Sequence, residues 1–172
     1  YAGVPASAEH HPVDIFEGWN WIGYVPQETL YADDALGSLN SVFGDYIKTF
    51  GSFGEYYDDF GWWGSNGDFF QMMPGRCYTL QSSNPGTLTY PENGSLGRFE
   101  SANQTNNESH FDYNKFEFNG TITSAIDIGD IFISESDVLT AYVGNEVRGI
   151  SSPVIFPLTG EYVFHLMVYS SE

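Results

Sequence analysis

Hydrophobic and polar positions alternate along several stretches of this chain, and one stretch keeps a helical spacing instead. From Phe16 to Tyr24 apolar residues alternate with polar or small ones, which predicts a strand with Trp19, Trp21 or Ile22 facing inward. The departure follows at once. Leu36, Leu39, Phe43, Ile47 and Phe50 recur at spacings of three and four, one face of an amphipathic helix. Asp33 and Asp34 supply its start and Gly51 its stop, so the spacing predicts a short helix over about 33–50.

The two-residue rhythm then returns. Residues 52–68 read as an aromatic hairpin, with Phe53, Tyr56, Tyr57, Phe60, Trp62 and Trp63 set between Gly and Asp, and Asn66-Gly67 as the tight turn. Strands are expected at 69–73, 77–81 and 86–90. After a polar stretch they resume over 115–128. A second tight turn, Gly144-Asn145, joins strands at 138–143 and 146–150. Residues 152–157 form a further apolar strand, and 162–169 (Tyr-Val-Phe-His-Leu-Met-Val-Tyr) form a last one, apolar enough to be buried on both faces. The expected fold is mainly β and β-sandwich-like, with about ten strands and one short amphipathic helix.

Between these runs lie two segments of different character. Residues 1–12 read as an extended N-terminal arm, and residues 91–114 as a long polar loop rich in Asn, Ser and Glu. The division that follows is an arm (1–12), a first β-module with the helix (13–90), the polar loop (91–114), and a second β-module (115–172) packed on the first.

Composition narrows the class. Over 172 residues, an aromatic content of 17% is too high for a disordered chain. Five basic residues against 23 acidic ones give a formal net charge of −18. Such a surface repels phosphate backbones and anionic lipid, so nucleic acid is excluded as a partner and membrane insertion is not expected. No stretch approaches the roughly 20 apolar residues that span a bilayer. Cys77 is the only cysteine, so no intrachain disulfide forms; in its apolar surroundings it reads as a small core residue on a strand. The chain opens on Tyr1 rather than Met, as expected of a processed or partial chain whose signal peptide has gone.

Two segments carry a resemblance. Gly18-Trp-Asn-Trp-Ile-Gly23, a helical stretch, Gly61-Trp-Trp-Gly64 and Met73-Pro-Gly-Arg-Cys-Tyr78 resemble a Bacteroidetes-type extracellular module that runs Gly-Trp-Asn-Leu-Ile-Ser, helix, Gly-Trp-Val-Gly, Pro-Gly-x-Gly-Tyr. Arg76-Cys77 stands where that module often has a glycine. Asp137-Val-Leu-Thr-Ala-Tyr-Val-Gly-Asn-Glu-Val-Arg-Gly149 resembles the Asp-x-Ile/Leu-x-Ala-Phe/Tyr-Val-x-x-Glu-x-Arg-Gly module often found beside it. The resemblance implies secreted or cell-surface β-modules with structural or adhesive roles and no catalytic residues.

Candidate chemistry is sparse. Asn-x-Ser/Thr sequons stand at Asn93, Asn103, Asn107 and Asn119, three of them in the polar loop, where a glycan is easily carried. Trp62 and Trp63, with Tyr56 and Tyr57, offer flat aromatic faces for sugar stacking or a subunit interface. Neighbours on a strand point to opposite faces, so one of Trp62 and Trp63 should be core and the other exposed or at an interface. Calcium is the natural cation for so acidic a surface, and Asp127, Asp130, Glu135 and Asp137 are the carboxylates closest in sequence to a ligand set; no other cofactor is expected. The four histidines are isolated: His10 and His11 in the arm, His110 in the polar loop, and His165 in the last strand as a satisfied core residue. No nucleophile, metalloprotease or phosphate-loop motif is present, so no catalytic residue is assigned and an enzyme is not expected.

Two functions fit. One is an extracellular structural subunit of a filament, sheath or surface layer that self-assembles through its arm and aromatic patches, its partners being copies of itself. The other is a non-catalytic carbohydrate-binding module that presents exposed Trp or Tyr to glycans.

Overall fold

Among the described residues the two-residue alternation becomes fourteen short strands in antiparallel sheets, so the protein is mainly β. The structure is a computed structural model that describes residues 11–91, 111–129 and 132–171. Residues 1–10 of the expected arm and 92–110 of the expected polar loop lie outside the described residues. The described chain divides into two compact units, one reaching residue 91 and the other made of Ser65–Gly67 and the residues from 111 onward.

The first unit contains β1 (Val13–Ile15), β2 (Gly18–Gly23), β3 (Leu30–Tyr31), a one-turn helix α1 (Ala32–Ala35), β4 (Tyr46–Thr49), β5 (Ser52–Tyr57), β6 (Gly61–Gly64), β7 (Gln71–Met72), β8 (Cys77–Ser82) and β9 (Gly86–Leu88). A five-stranded sheet in the order β2-β8-β4-β5-β6 carries it, and the ribbons β1-β9 and β3-β7 complete it. Register decides which side chains form the core. Ile22 pairs Tyr78, Ile47 pairs Leu80, and Tyr56 pairs Trp62, so these side chains share one face of the sheet. That face forms one buried cluster with Ile15 and Leu88 from the β1-β9 ribbon and with Ala32, Ala35 and Met72 around α1. Burying such a face is the main drive for this unit.

The amphipathic helix expected over 33–50 is a correction. Only Ala32–Ala35 is helical, and by Tyr46 the chain is already a strand. Leu36 and Ile47 are buried but Phe43 and Phe50 are exposed, so the apolar positions do not share one face. The break is built by Asp45. Its buried carboxylate accepts from the Val42 backbone N–H at 3.1 Å and from the Ser83 N–H at 2.7 Å, closing a turn just before β4. Gly44, at φ +90°, takes the left-handed conformation this turn needs. Spacings of three and four arise here from two turns followed by a strand.

The second unit contains β10 (Phe118–Ser124), β11 (Leu139–Val143), β12 (Glu146–Ser151), β13 (Pro153–Ile155) and β14 (Tyr162–Ser170). β14 is the centre of a three-stranded sheet, β10-β14-β13, and residues 163–167 are buried on both faces. β11 and β12 form a hairpin around the Gly144-Asn145 turn, with a register shift between Ala141 and Tyr142. The hairpin lies close against the β14 backbone: Ser151 Oγ donates to the His165 carbonyl at 3.0 Å, and Gly149 sits against the Met167 carbonyl oxygen. A Cβ at Gly149 would run into that oxygen and crowd Leu166. Gly149→Ala is therefore expected to lower stability by about 1–3 kcal/mol through forced separation of the two strands. Urea unfolding checks it, and an unchanged midpoint would show that the strands separate freely.

Candidate functional site

The face of the five-stranded sheet opposite the core is also aromatic. Trp19 pairs Gln81, Trp21 pairs Thr79, Tyr46 pairs Glu55 and Glu55 pairs Trp63, so these side chains share the outer face. At the β5–β6 end the rings form a packed network. Tyr57 stacks on Phe60 at 5.0 Å, Phe60 meets Trp63 at 5.6 Å, and Trp63 meets Phe69 at 5.5 Å.

The sequence-predicted platform divides across this sheet. Trp62 is core, 1% exposed, and packs on Tyr56 at 5.5 Å. Trp63 faces the other way and is half-buried, as opposite parity requires. Tyr57 is buried too, its hydroxyl donating to Glu55 at 2.9 Å. Trp62 and Tyr57 are therefore closed to a ligand, while Trp63 and Tyr56 are half-buried.

The exposed indoles are elsewhere. Trp21 is 83% exposed and Trp19 is 54% exposed, side by side on β2. Of the inward-facing residues the sequence offered for this strand, Ile22 is the buried one and the two tryptophans face out. The inward position between them belongs to Asn20, whose side chain brackets the strand. Its Oδ1 accepts from the Phe16 N–H at 2.9 Å, and its Nδ2 donates to the Phe16 carbonyl at 2.7 Å and the Gly18 carbonyl at 3.0 Å. Gly18, at φ +92°, makes the bend that this bracket closes. A polar side chain that satisfies local backbone can thus take an inward place between two outward aromatics. Trp19 is further held by Tyr46, edge to face at 6.5 Å, and by the Lys48 ammonium 5.3 Å from its ring. Cys77 lies exposed on the same outer face, paired with Gly23, because the register turns Tyr78 and Leu80 inward; its reading as a core residue is corrected.

The second unit offers a different surface. β10 is an edge strand of seven residues, with β14 on one side and no strand on the other among the described residues. It carries no charge and no proline, the devices that usually protect an edge. Phe118 and Ile122, on one face, are 57% and 51% exposed. Nearby, Lys115 and Arg148 flank the Phe116 ring at 5.0 and 4.9 Å and both pair with Glu146. The hydrogen bond from Lys115, with Arg148 beside it, holds the Glu146 carboxyl below its ordinary range.

The remaining candidates scatter. Asn119 lies within β10 opposite Tyr169, half-buried, while Asn93, Asn103 and Asn107 lie outside the described residues. Asp127 accepts from the Gly129 N–H, and Asp137 accepts from the Ser134 N–H and hydroxyl, so both cap local turns. Asp130 lies outside the described residues, and among the described residues no group of three or more carboxylate, His or Cys side chains is placed to hold a metal ion, Glu135 included. His165 is buried with Thr123 Oγ1 3.0 Å from its Nδ1, His11 is exposed, and His10 and His110 lie outside the described residues.

No protein-family model matches the chain, and neither the curated proteins nor the solved structures contain a significant match to it. Among the described residues no helix is long and apolar enough to cross a membrane.

Proposed function

We propose that this chain is an extracellular, non-enzymatic structural subunit that assembles with copies of itself into a filament, sheath or surface layer. The observation that carries the reading is β10, a seven-residue uncharged edge strand with Phe118 and Ile122 exposed beside it. An edge strand can take an added strand through its backbone, and apolar neighbours fix its register. The segment 1–12 of the next copy is the donor in this reading, and its Val4 and Ala residues suit a strand laid on an apolar edge. Glycans on Asn93, Asn103 and Asn107 would keep the outer surface hydrated. Further support comes from the net charge of −18, which keeps unassembled copies apart until the strand contact forms at close range.

Light scattering and electron microscopy of the full chain test this. The wild-type chain should form large assemblies; Ile122→Lys, at an exposed position that does not disturb the core, should leave monomers, as should deletion of residues 1–12. A wild-type chain that stays monomeric at high concentration, or an Ile122→Lys variant that assembles normally, would overturn it.

A further inference from the structure

We infer that Trp19 and Trp21, with the polar strip of β8 beside them, form a binding site for an extended neutral glycan. The site is distinct from the β10 edge and does not depend on assembly. Both indoles project from the same face of an edge strand, at positions i and i+2, on the order of 7 Å apart along the strand. That spacing lets two rings underlie about two successive pyranose units of an extended chain. An indole left 83% exposed gains nothing for the fold, and an amphipathic ring is suited to stacking on the C–H face of a sugar while its N–H meets a hydroxyl.

The floor beside the indoles is the second argument. In register with Trp21 and Trp19, β8 presents Thr79 and Gln81, an uncharged hydroxyl and amide that exchange hydrogen bonds with sugar hydroxyls. Lys48, paired across from Thr79, carries its ammonium 5.3 Å over the Trp19 ring and borders the strip. No aliphatic side chain stands among these five. This is a stacking wall with polar partners, unlike the apolar pair Phe118 and Ile122, and it favours a sugar over a protein surface.

Charge and rigidity complete the case. With 23 acidic residues the chain repels acidic polysaccharides, so the ligand is neutral. Asn20 binds the backbone of residues 16–20 into one shape, and Tyr46 and Lys48 hold Trp19 in place, so little ordering remains to be done on binding.

Isothermal titration of the full chain with cellohexaose, xylohexaose, laminarihexaose and chitohexaose tests the site, with an oligogalacturonate as the acidic control. At least one neutral hexaose should bind and the oligogalacturonate should not. Trp21→Ala should weaken binding roughly tenfold or more, the scale of one lost stacking contact. Tyr142→Ala, which removes an exposed ring on the second unit, should change nothing. Ile122→Lys should bind sugar as the wild-type chain does, so failure of the assembly reading leaves this one standing, and the reverse. Circular dichroism confirms that each variant is folded. The inference is overturned if none of the four neutral hexaoses binds, if Trp19→Ala and Trp21→Ala both bind as the wild type does, or if these variants lose self-association while no sugar binds, which would make the strip a contact between copies.

Discussion

Asp45→Ala is expected to lower unfolding free energy by about 3–5 kcal/mol, because it strands two backbone N–H groups around a buried site. The carboxylate is 1% exposed and accepts from Val42 and Ser83 on two segments far apart in sequence. Its own backbone N–H donates to the Val42 carbonyl, and its carbonyl accepts from Tyr56. One residue thus joins the turn before β4, the end of β8 and the β4–β5 ladder. Asp45→Asn should cost about half as much, since one amide oxygen accepts a single N–H and the amide nitrogen faces the other donor. Urea unfolding with an unchanged denaturant slope is the readout. A loss under about 1 kcal/mol for the alanine variant would mean that water replaces the carboxylate.

His165 is expected to make the protein lose stability in mild acid. Burial in the second unit pulls its imidazole from the ordinary value of 6.5 down to about 4. Between those values the unfolded chain takes up a proton that the folded chain refuses, so stability rises with pH across that window. The full contribution stands above pH 6.5 and is lost as pH falls to about 4, a change of about 3 kcal/mol. Asp33 acts in the opposite sense, since burial raises its carboxyl and folding then favours the protonated form. The difference between the wild-type chain and His165→Gln isolates the histidine. The variant should show a flatter profile from pH 6.5 to 4 in chemical denaturation; parallel profiles would show that His165 takes its proton without unfolding.

The strands were legible where turns and burial spoke together. Gly144-Asn145 marks the β11–β12 hairpin, and the apolar run 162–169 becomes the doubly buried centre of its sheet. The segment after α1 was not legible, because a helical spacing of apolar residues also results when turns carry some of them outward, as at Phe43 and Phe50. Only the inward carboxylate of Asp45 distinguishes the two, and an isolated Asp in a sequence looks solvated. The facing of β2 stayed open for a related reason. In Gly18-Trp-Asn-Trp-Ile-Gly23 the two parities bury either the tryptophans or Asn20 with Ile22, and hydrophobicity alone does not choose between them. The local hydrogen bonds of Asn20 go with the second. A polar residue flanked by aromatics just after a glycine bend was the available signal. For Trp62 and Trp63 the alternation rule was sufficient to separate a core ring from an outward one, but it gave no measure of how far neighbouring rings close over the outward one.

The sorting of the indoles has a spectroscopic consequence. Trp62 is sealed in the core, Trp63 half-covered, and Trp21 almost wholly in water. Native emission is therefore a sum of a short-wavelength component from the core and a long-wavelength one from β2. Acrylamide should quench the second first and leave the first until the sheet opens. Denaturation moves only the short-wavelength part, while anything settling on β2 shifts and shields only the long-wavelength part. A single emission spectrum thus carries two independent signals, one for the integrity of the sheet and one for the occupancy of its outer edge, with no label attached.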